Sequence, residues 1–316
     1  MTQETPSSQR AHRTEIFARF LSSRAKRRYW IGYLFIAPWM IGLVWFDLIP
    51  FVVSLYLSFT DYSVGLQWPQ WIGGANYIKL FTEDAVFLKG LYNTSYYLCF
   101  SVPLRLICAL IVALLLNTKI RGRGIFRTLF YIPSVVPVVA TAVIFTGIFH
   151  ARYGILNHLL ILVGLNPVRW LTSPQWVKPS MILMSTWGFG AQMVIFLAAL
   201  QGIPGELYEA ADLDGVGGIH KLMRITIPLI SPSLFFNLII GIIEGFQVFT
   251  QAYVMIGTDG GPLQAGLFYL VYLYNNAFRY FKMGYASAMS LILFLIILCF
   301  TIVLNYSSKH WVYYSE

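Results

Sequence analysis

Residues 209–228 read EAADLDGVGGIHKLMRITIP, a charged and glycine-interrupted stretch set between two long apolar segments. The hydrocarbon interior of a bilayer rejects such a stretch, so it must lie in water on one side of a membrane. Acidic residues come first and basic residues follow, which favours a docking element; a solvated loop with helical bias is the alternative. The charged positions of this region are Glu206, Glu209, Asp212, Asp214, Lys221 and Arg224.

The composition of the chain is that of an integral membrane protein. Of its 316 residues, 58% are hydrophobic and only 11% are charged, whereas soluble domains carry roughly 25% charged residues. Six apolar runs are each long enough to cross a bilayer as a helix, and their continuity excludes a membrane β-barrel. We therefore predict an all-α protein with six transmembrane helices, at approximately 31–57, 91–116, 129–149, 179–201, 230–256 and 285–306.

The basic residues predict the topology. Fourteen of the 22 Lys and Arg residues fall on the side of the 204–228 loop and seven on the other, so the positive-inside rule places both termini and this loop in the cytoplasm. The formal charge of +9 then reflects topology and lipid headgroups and gives no indication of nucleic-acid binding. We predict a basic tail at residues 1–28, one membrane domain at 29–308 and a short tail at 309–316.

No catalytic or metal-binding pattern stands out. There is no G-x-x-x-x-G-K-[ST] phosphate loop, so the chain is not expected to hydrolyse ATP. The five histidines are scattered, and the three cysteines fall within apolar spans with no metal or disulfide spacing. We therefore predict no enzyme activity, no cofactor and no metal site in this chain, and any energy source must be another polypeptide.

The stretch at 209–228 resembles the EAA loop of permease subunits of ATP-binding cassette (ABC) importers. Six positions match that motif, whereas Gly217 and Leu222 depart from it mildly. Further stretches resemble carbohydrate-type permeases, among them residues 74–77, 127–133, 258–262 and 285–288, so that the resemblance covers residues 28–308. The matching positions of the EAA motif are Glu209, Ala210, Ala211, Gly215, Ile225 and Pro228.

This resemblance implies an assembly in the prokaryotic cytoplasmic membrane. It implies a second, homologous permease, two ATPase subunits that bind ATP and Mg, and an extracytoplasmic solute-binding protein. The 204–228 loop would be the coupling helix that docks on the ATPase. The residues implied in coupling are Glu209, Ala210, Ala211, Asp214, Gly215 and Pro228.

Polar groups inside the spans indicate where cargo passes. Three ionisable residues, Asp47, Arg105 and Glu244, lie in apolar runs, where such groups face partners or a watery cavity. In the fifth span, polar or small residues recur every three or four positions, which predicts one helical face. These residues are Asn237, Gly241, Glu244, Gln247, Thr250 and Gln251.

Two interpretations of these groups stay open: the stripe lines a solute path or forms an interface with the second permease, and Glu244 either lines the path or pairs with Arg105. The resemblance implies path positions at Phe246, Gln247 and Thr250, with Gly188 and Ala191 facing them. The predicted path residues are Gly188, Ala191, Gln192, Glu244, Phe246, Gln247, Thr250 and Gln251.

The sequence thus predicts a permease subunit that moves a sugar or oligosaccharide with the help of a separate ATPase. Glycerol phosphate or another polar solute is the alternative cargo, because Arg105 would suit a phosphate. A self-sufficient secondary transporter is the competing class.

Overall fold

The computed structural model describes residues 23–65, 68–118 and 120–313, with side chains described from residue 33 onward. Most of the predicted N-terminal tail and the last three residues therefore lie outside the described residues. Within the described ranges the chain is built of helices, and its single β-bridge joins Thr60 to Trp71. The chain divides into two units, residues 1–56 and 57–316.

The described part of the first unit, from residue 23, is an apolar helix with a π-helical segment in its middle. Helix α1 spans Ser23–Gly42, the π-helical segment spans Leu43–Leu48, and α2 spans Ile49–Ser58, ending just inside the second unit. The apolar stretch Tyr33–Ser58 is long enough to cross a membrane. Asp47 lies in the π-helical segment and is exposed; π-helical turns of this kind widen a helix locally.

Two further straight helices and three bent helix pairs account for the other predicted spans. The straight helices are α4 (Ala85–Asn117), which follows the short α3 (Ala75–Thr82), and α16 (Met283–Trp311). The first bent pair is α5 (Arg123–Val135) with α6 (Val138–Ile148), which meet at 97°. After α7 (Ile155–Leu162), the pair α8 (Pro174–Thr186) and α9 (Gly190–Gln201) bends by 47°.

The fifth predicted span departs most from expectation. A short helix, α10 (Gly205–Leu213), precedes α11 (Gly218–Lys221), a π-helical turn (Leu222–Thr226) and α12 (Ile227–Leu229), which together bend by 69° into α13 (Ser231–Phe246). The helix then stops and resumes as α14 (Thr250–Ile256). The segment before α16 contains a 3-10 turn (Pro262–Gln264), α15 (Tyr269–Tyr274) and a π-helical turn (Asn275–Arg279).

Helix α4 is the centre of the second unit and packs against α8, α9, α13 and α15. Its buried apolar residues recur every three or four positions, as expected for a helix that presents one face to a core. The all-α fold class predicted from the sequence is confirmed. The buried residues of this face are Leu98, Val102, Leu106, Ala109 and Ala113, and they meet Met193, Phe196 and Leu197 of α9.

Glycines allow the helices to approach closely. A methyl group added at Gly190 of α9 would overlap the carbonyl oxygen of Phe130 and the Ser134 hydroxyl of α5. Membrane helices gain little from hydrophobic segregation in lipid, so their packing depends on close contact of this kind.

Gly190→Ala should therefore destabilise the protein by about 1–3 kcal/mol, the usual cost of overpacking a tight contact. The measurement is the fraction that stays monodisperse in size-exclusion chromatography after heating. Gly147→Ala is the matched control, because Gly147 lies in α6 with no atom within 4 Å of the added methyl. Equal heat resistance of the two variants would contradict the packing argument.

Asp84 ties three elements together at the start of α4. Its Oδ1 accepts a hydrogen bond from the Phe87 amide at 2.9 Å and caps the helix, while Oδ2 accepts from the hydroxyls of Tyr272 on α15 and Tyr285 on α16. Partial burial disfavours the charged carboxylate, but these hydrogen bonds outweigh it and lower the pKa of Asp84 below its ordinary value of 3.8.

A carboxyl with a lowered pKa in the folded state stabilises the fold above its ordinary pKa, and this stabilisation is lost as the pH falls through the lower, folded-state value. Asp84→Asn should therefore lower the free energy of unfolding at pH 7 by about 1.5–3 kcal/mol, the range for hydrogen bonds to a charged group. Thermal melts of the two proteins should converge as the pH falls below 3.8, the ordinary pKa of this carboxyl. Glu83→Gln, at the exposed neighbouring position, is the control and should melt at the same temperature as the wild type at pH 7. A loss of stability in Asp84→Asn that does not change with pH would contradict the charge-based account.

Candidate functional site

A cavity of about 460 Å³ opens between α4, α5–α6, α8–α9 and α13. Its lining combines polar and apolar residues and carries few charges: among the described residues, Arg105 and Glu244 are the only Lys, Arg, Asp or Glu side chains that line it. Hydroxyl and amide side chains supply the rest of its polarity. They include Ser101, Thr141, Ser185, Gln192, Gln247 and Gln251.

Three interruptions of the membrane helices converge on this cavity. Val136 belongs to the break between α5 and α6, Gly188 to the break between α8 and α9, and Gln247 to the break between α13 and α14, and all three line the cavity. Non-helical backbone at membrane depth is tolerated only where it is buried in protein or lines a cavity. The cavity therefore accounts for why these three helix breaks are tolerated at membrane depth.

Six of the eight predicted path residues line the cavity: Gly188, Ala191, Gln192, Glu244, Gln247 and Gln251.

Phe246 and Thr250 lie outside this lining. Phe246 is 1% exposed, belongs to the apolar core and places its ring 5.3 Å from that of Phe300. Phe246 therefore packs the core on the side of α13 away from the cavity. Thr250 begins α14, beyond the break.

The prediction that residues 237–251 present one continuous helical face is wrong. Helix α13 ends at Phe246, Gln247 has left the helical conformation, and Phe249 adopts φ −134° before α14 begins. A three-to-four-residue spacing places residues on one face only while the helix continues. Gln247 and Gln251 reach the cavity through the break instead, and Asn237 is buried without lining it.

The ion pair of the cavity joins α4 to α13. The Arg105 guanidinium donates to Glu244 Oε2 at 2.7 Å, with side-chain exposures of 17% for Arg105 and 54% for Glu244. Gly241 lies one turn before Glu244 and packs against Val102. A methyl group added at Gly241 would lie 3.7 Å from the Arg105 guanidinium. Pairing and cavity lining, the two alternatives for Glu244, therefore occur together.

Gln192 carries a buried acceptor that lacks a donor in the described part of the chain. Its side chain is 7% exposed, and among the described residues no donor reaches its Oε1. Ser134, which also lines the cavity, has a buried hydroxyl in the same condition. Buried polar atoms are nearly always satisfied, so these two groups indicate that the cavity receives polar molecules.

Several cavity residues are not marked by the sequence pattern. Ser101, Ser134, Thr141 and Ser185 are hydroxyl side chains scattered through predominantly apolar spans. Such residues commonly bond to the carbonyl one turn earlier, so nothing local marks them as cavity lining. The prolines at 133 and 137 beside Ser134 were the available signal, because proline interrupts helices.

The 204–228 loop forms a helix, a tight stop and a second helix. Helix α10 ends with Gly215 at φ +71°, where the Gly215 amide bonds to the Asp212 carbonyl and the Val216 amide to the Ala211 carbonyl. This is the Schellman ending, in which glycine takes the left-handed position without strain.

Side-chain contacts hold the two halves of this loop together. Lys221 pairs with Asp212, and the Tyr208 and Thr226 hydroxyls are 2.9 Å apart.

Four of the six predicted coupling residues line an open groove of about 590 Å³. Ala210, Ala211, Asp214 and Gly215 line it, Glu209 is exposed beside it, and Pro228 lies in α12 outside the lining. Apolar side chains are also exposed here, with Leu213 at 90%, Ile219 at 65% and Met223 at 60%. Exposed apolar groups clustered on a polar loop are typical of a surface that binds another protein.

Comparison with known proteins identifies the family. Residues 105–312 match the family described as "Binding-protein-dependent transport system inner membrane component". The chain belongs to this family. The resemblance stated from the sequence is therefore confirmed, and the permease is a multi-pass inner-membrane component of a transport system.

Relatives cover nearly the whole permease. It is 42% identical over 287 residues to the probable ABC transporter permease protein YesP of Bacillus subtilis, covering 90% of this chain and 92% of that protein. It is 34% identical to the lactose transport system permease protein LacF of Rhizobium radiobacter, covering 91% and 97%. A solved bacterial ABC transporter involved in the import of the acidic polysaccharide alginate shares its fold, with a TM-score of 0.79, 24% identity and coverage of 90% and 97%.

Proposed function

We propose that this permease carries a sugar or oligosaccharide through the cavity between α4, α5–α6, α8–α9 and α13. The observation that carries the proposal is the lining: hydroxyls and amides surround a space of about 460 Å³ whose two charges neutralise each other. Sugar hydroxyls both donate and accept hydrogen bonds, as amides and hydroxyls do. The volume lies in the range of small-molecule sites.

The printed names of the relatives support this cargo class. They include transport system permeases for lactose, arabinooligosaccharides and trehalose or maltose. Phosphate was the alternative because of Arg105. Because Arg105 pairs with Glu244, its charge is neutralised at that position. This geometry favours an uncharged polar solute.

The proposed assembly contains four kinds of chain. A second, homologous permease would complete the passage, two ATPase subunits would bind ATP and Mg, and a solute-binding protein would deliver cargo from outside. Both termini and the 204–228 loop would lie in the cytoplasm, as the distribution of basic residues predicts. Family membership supports the binding protein, and the exposed apolar residues of the loop support a docked ATPase.

In the proposed mechanism the loop transmits motion. Closure of the ATPase pair would displace α10. The Schellman ending and the Lys221–Asp212 pair hold α10, α11 and α12 together, so that the three would move as one rigid unit. Helix α13 follows at once and carries Glu244 into the cavity wall. Access to the cavity would then switch between two states that ATP and the loaded binding protein both bias. A secondary transporter would instead need a coupling-ion site of its own.

Gln247→Leu should reduce uptake at least about tenfold in the reconstituted importer, the effect of losing a polar contact worth roughly 1.4 kcal/mol, because it replaces an amide of the cavity wall with an apolar group. Uptake of the cargo into vesicles is the measurement, alongside yield of the assembled complex. Thr250→Val is the matched control, since Thr250 lies outside the lining. Equal loss in both variants, or collapse of assembly in Gln247→Leu, would favour a helix interface over a solute path.

Gly215→Val should uncouple ATP hydrolysis from uptake, because a β-branched residue at φ +71° costs about 1–2 kcal/mol and opens the stop after α10. The measurements are ATPase stimulation by the loaded binding protein and co-purification of the ATPase. Gly215→Asn, which tolerates the left-handed conformation, should retain coupling, and so should Gly217→Ala at φ −66°. Full coupling in Gly215→Val would remove the loop from the mechanism.

A further inference from the structure

The two members of the ion pair in the cavity differ in solvent exposure. Arg105 and Glu244 both line the cavity, but the Glu244 side chain is 54% exposed and that of Arg105 only 17%. A solute entering the cavity therefore meets more of the carboxylate than of the guanidinium. The pair has no net charge, and its more accessible member is the negative one.

This arrangement disfavours an anion at that position. A carboxylate on the solute would approach Glu244 as a like charge, and juxtaposed like charges oppose binding. Among the described residues no unpaired Lys or Arg lines the cavity to compensate.

An uncharged hydroxyl finds suitable partners at the same place. In the described part of the chain, Glu244 accepts its hydrogen bond through Oε2 alone, so Oε1 is available to a solute donor. The guanidinium has five N–H donors, and a single hydrogen bond from it, to Glu244, is formed within the described residues. A hydroxyl can therefore donate to the carboxylate and accept from the guanidinium.

Gln192 adds a second, independent indication. Its buried Oε1 lines the same cavity and lacks a donor among the described residues. A carboxylate has no proton to offer this acceptor at neutral pH, whereas a sugar hydroxyl does. The unsatisfied acceptor therefore favours a ligand that carries hydroxyl donors, and the Arg105–Glu244 pair then decides between a neutral and an anionic ring.

We propose that Arg105 and Glu244 form one recognition unit that binds an uncharged sugar ring, and that Glu244 keeps anionic rings out of this position by neutralising Arg105. The inference rests on the proposed function and adds to it the chemical class of the ring bound here and the residues that select it. Glu244 is then a specificity-determining residue, and Arg105 is an anion site that the pairing hides.

The test uses the assembled importer with its partner subunits, nucleotide-free and in detergent. Glucose and glucuronate are the probes, and the signal is the change in tryptophan emission from Trp187, which lines the cavity. A Trp187→Phe background shows which part of the signal comes from this residue. Glu244→Gln, which removes the charge with little change in shape, is compared with the wild type and with Glu244→Gln/Arg105→Gln.

The wild type should respond to glucose and not to glucuronate at equal concentration. Glu244→Gln should raise the apparent affinity for glucuronate on the order of tenfold or more, one such factor being a modest change in binding free energy. The double variant should lose that gain, which assigns it to Arg105. Size-exclusion profiles establish that each variant assembles.

Two results would overturn the inference, and they are distinguishable. If Glu244→Gln assembles and binds glucose but gains no response to glucuronate, the pair is only a brace between α4 and α13, while the sugar path stands. If no assembled protein responds to either probe at Trp187, the proposed sugar function fails together with the recognition unit.

Discussion

The backbone hydrogen bonds of the membrane-spanning helices are the constraint from which the rest of this structure follows. A break in a helix leaves amides and carbonyls without partners, and lipid offers none in exchange. Here the breaks at 136–137, 187–189 and 247–249 interrupt three spans, and residues of each line one polar cavity. The cavity thus provides the polar surroundings that the breaks require, and the breaks give it a wall that uninterrupted helices would not form. The helix breaks therefore account for both the position and the polarity of the cavity.

The charges of the molecule are distributed according to the same constraint. Arg105 and Glu244, both within membrane helices, pair with each other at 2.7 Å beside the cavity, since an isolated charge there would be costly. The charges of the 204–228 loop need no such pairing to be tolerated, and Glu209 and Asp214 are exposed. The Arg105–Glu244 pair lies at the wall of the cavity, whereas the loop's exposed charges and apolar groups suit a protein partner.

The sequence predicted the architecture well and the cavity in part. Hydropathy identified the six apolar segments, because each needs about 20 apolar residues whether or not it bends. The sequence also predicted Gly188, Gln192 and Glu244 as path residues, and all three line the cavity. The sequence did not predict where a helix stops. Helix α13 ends at Phe246, and residue periodicity cannot predict a break that is held by tertiary packing. Thr250 was placed on a continuous face, but it lies beyond the break and outside the cavity lining. Phe246 was a path position only through the resemblance, and in the structure it is buried in the apolar core.

The contact at Gly190 restricts how the permease can move. With no side chain at Gly190, the backbone of α9 lies directly against the Phe130 carbonyl and the Ser134 hydroxyl of α5, so the two helices have little room to slide past each other. A rigid displacement of α5 would then carry α9 with it, and Ser134 and Ala191, which line the cavity from these two helices, would move together. The cavity would therefore widen more readily along its other border, towards α4 and α13.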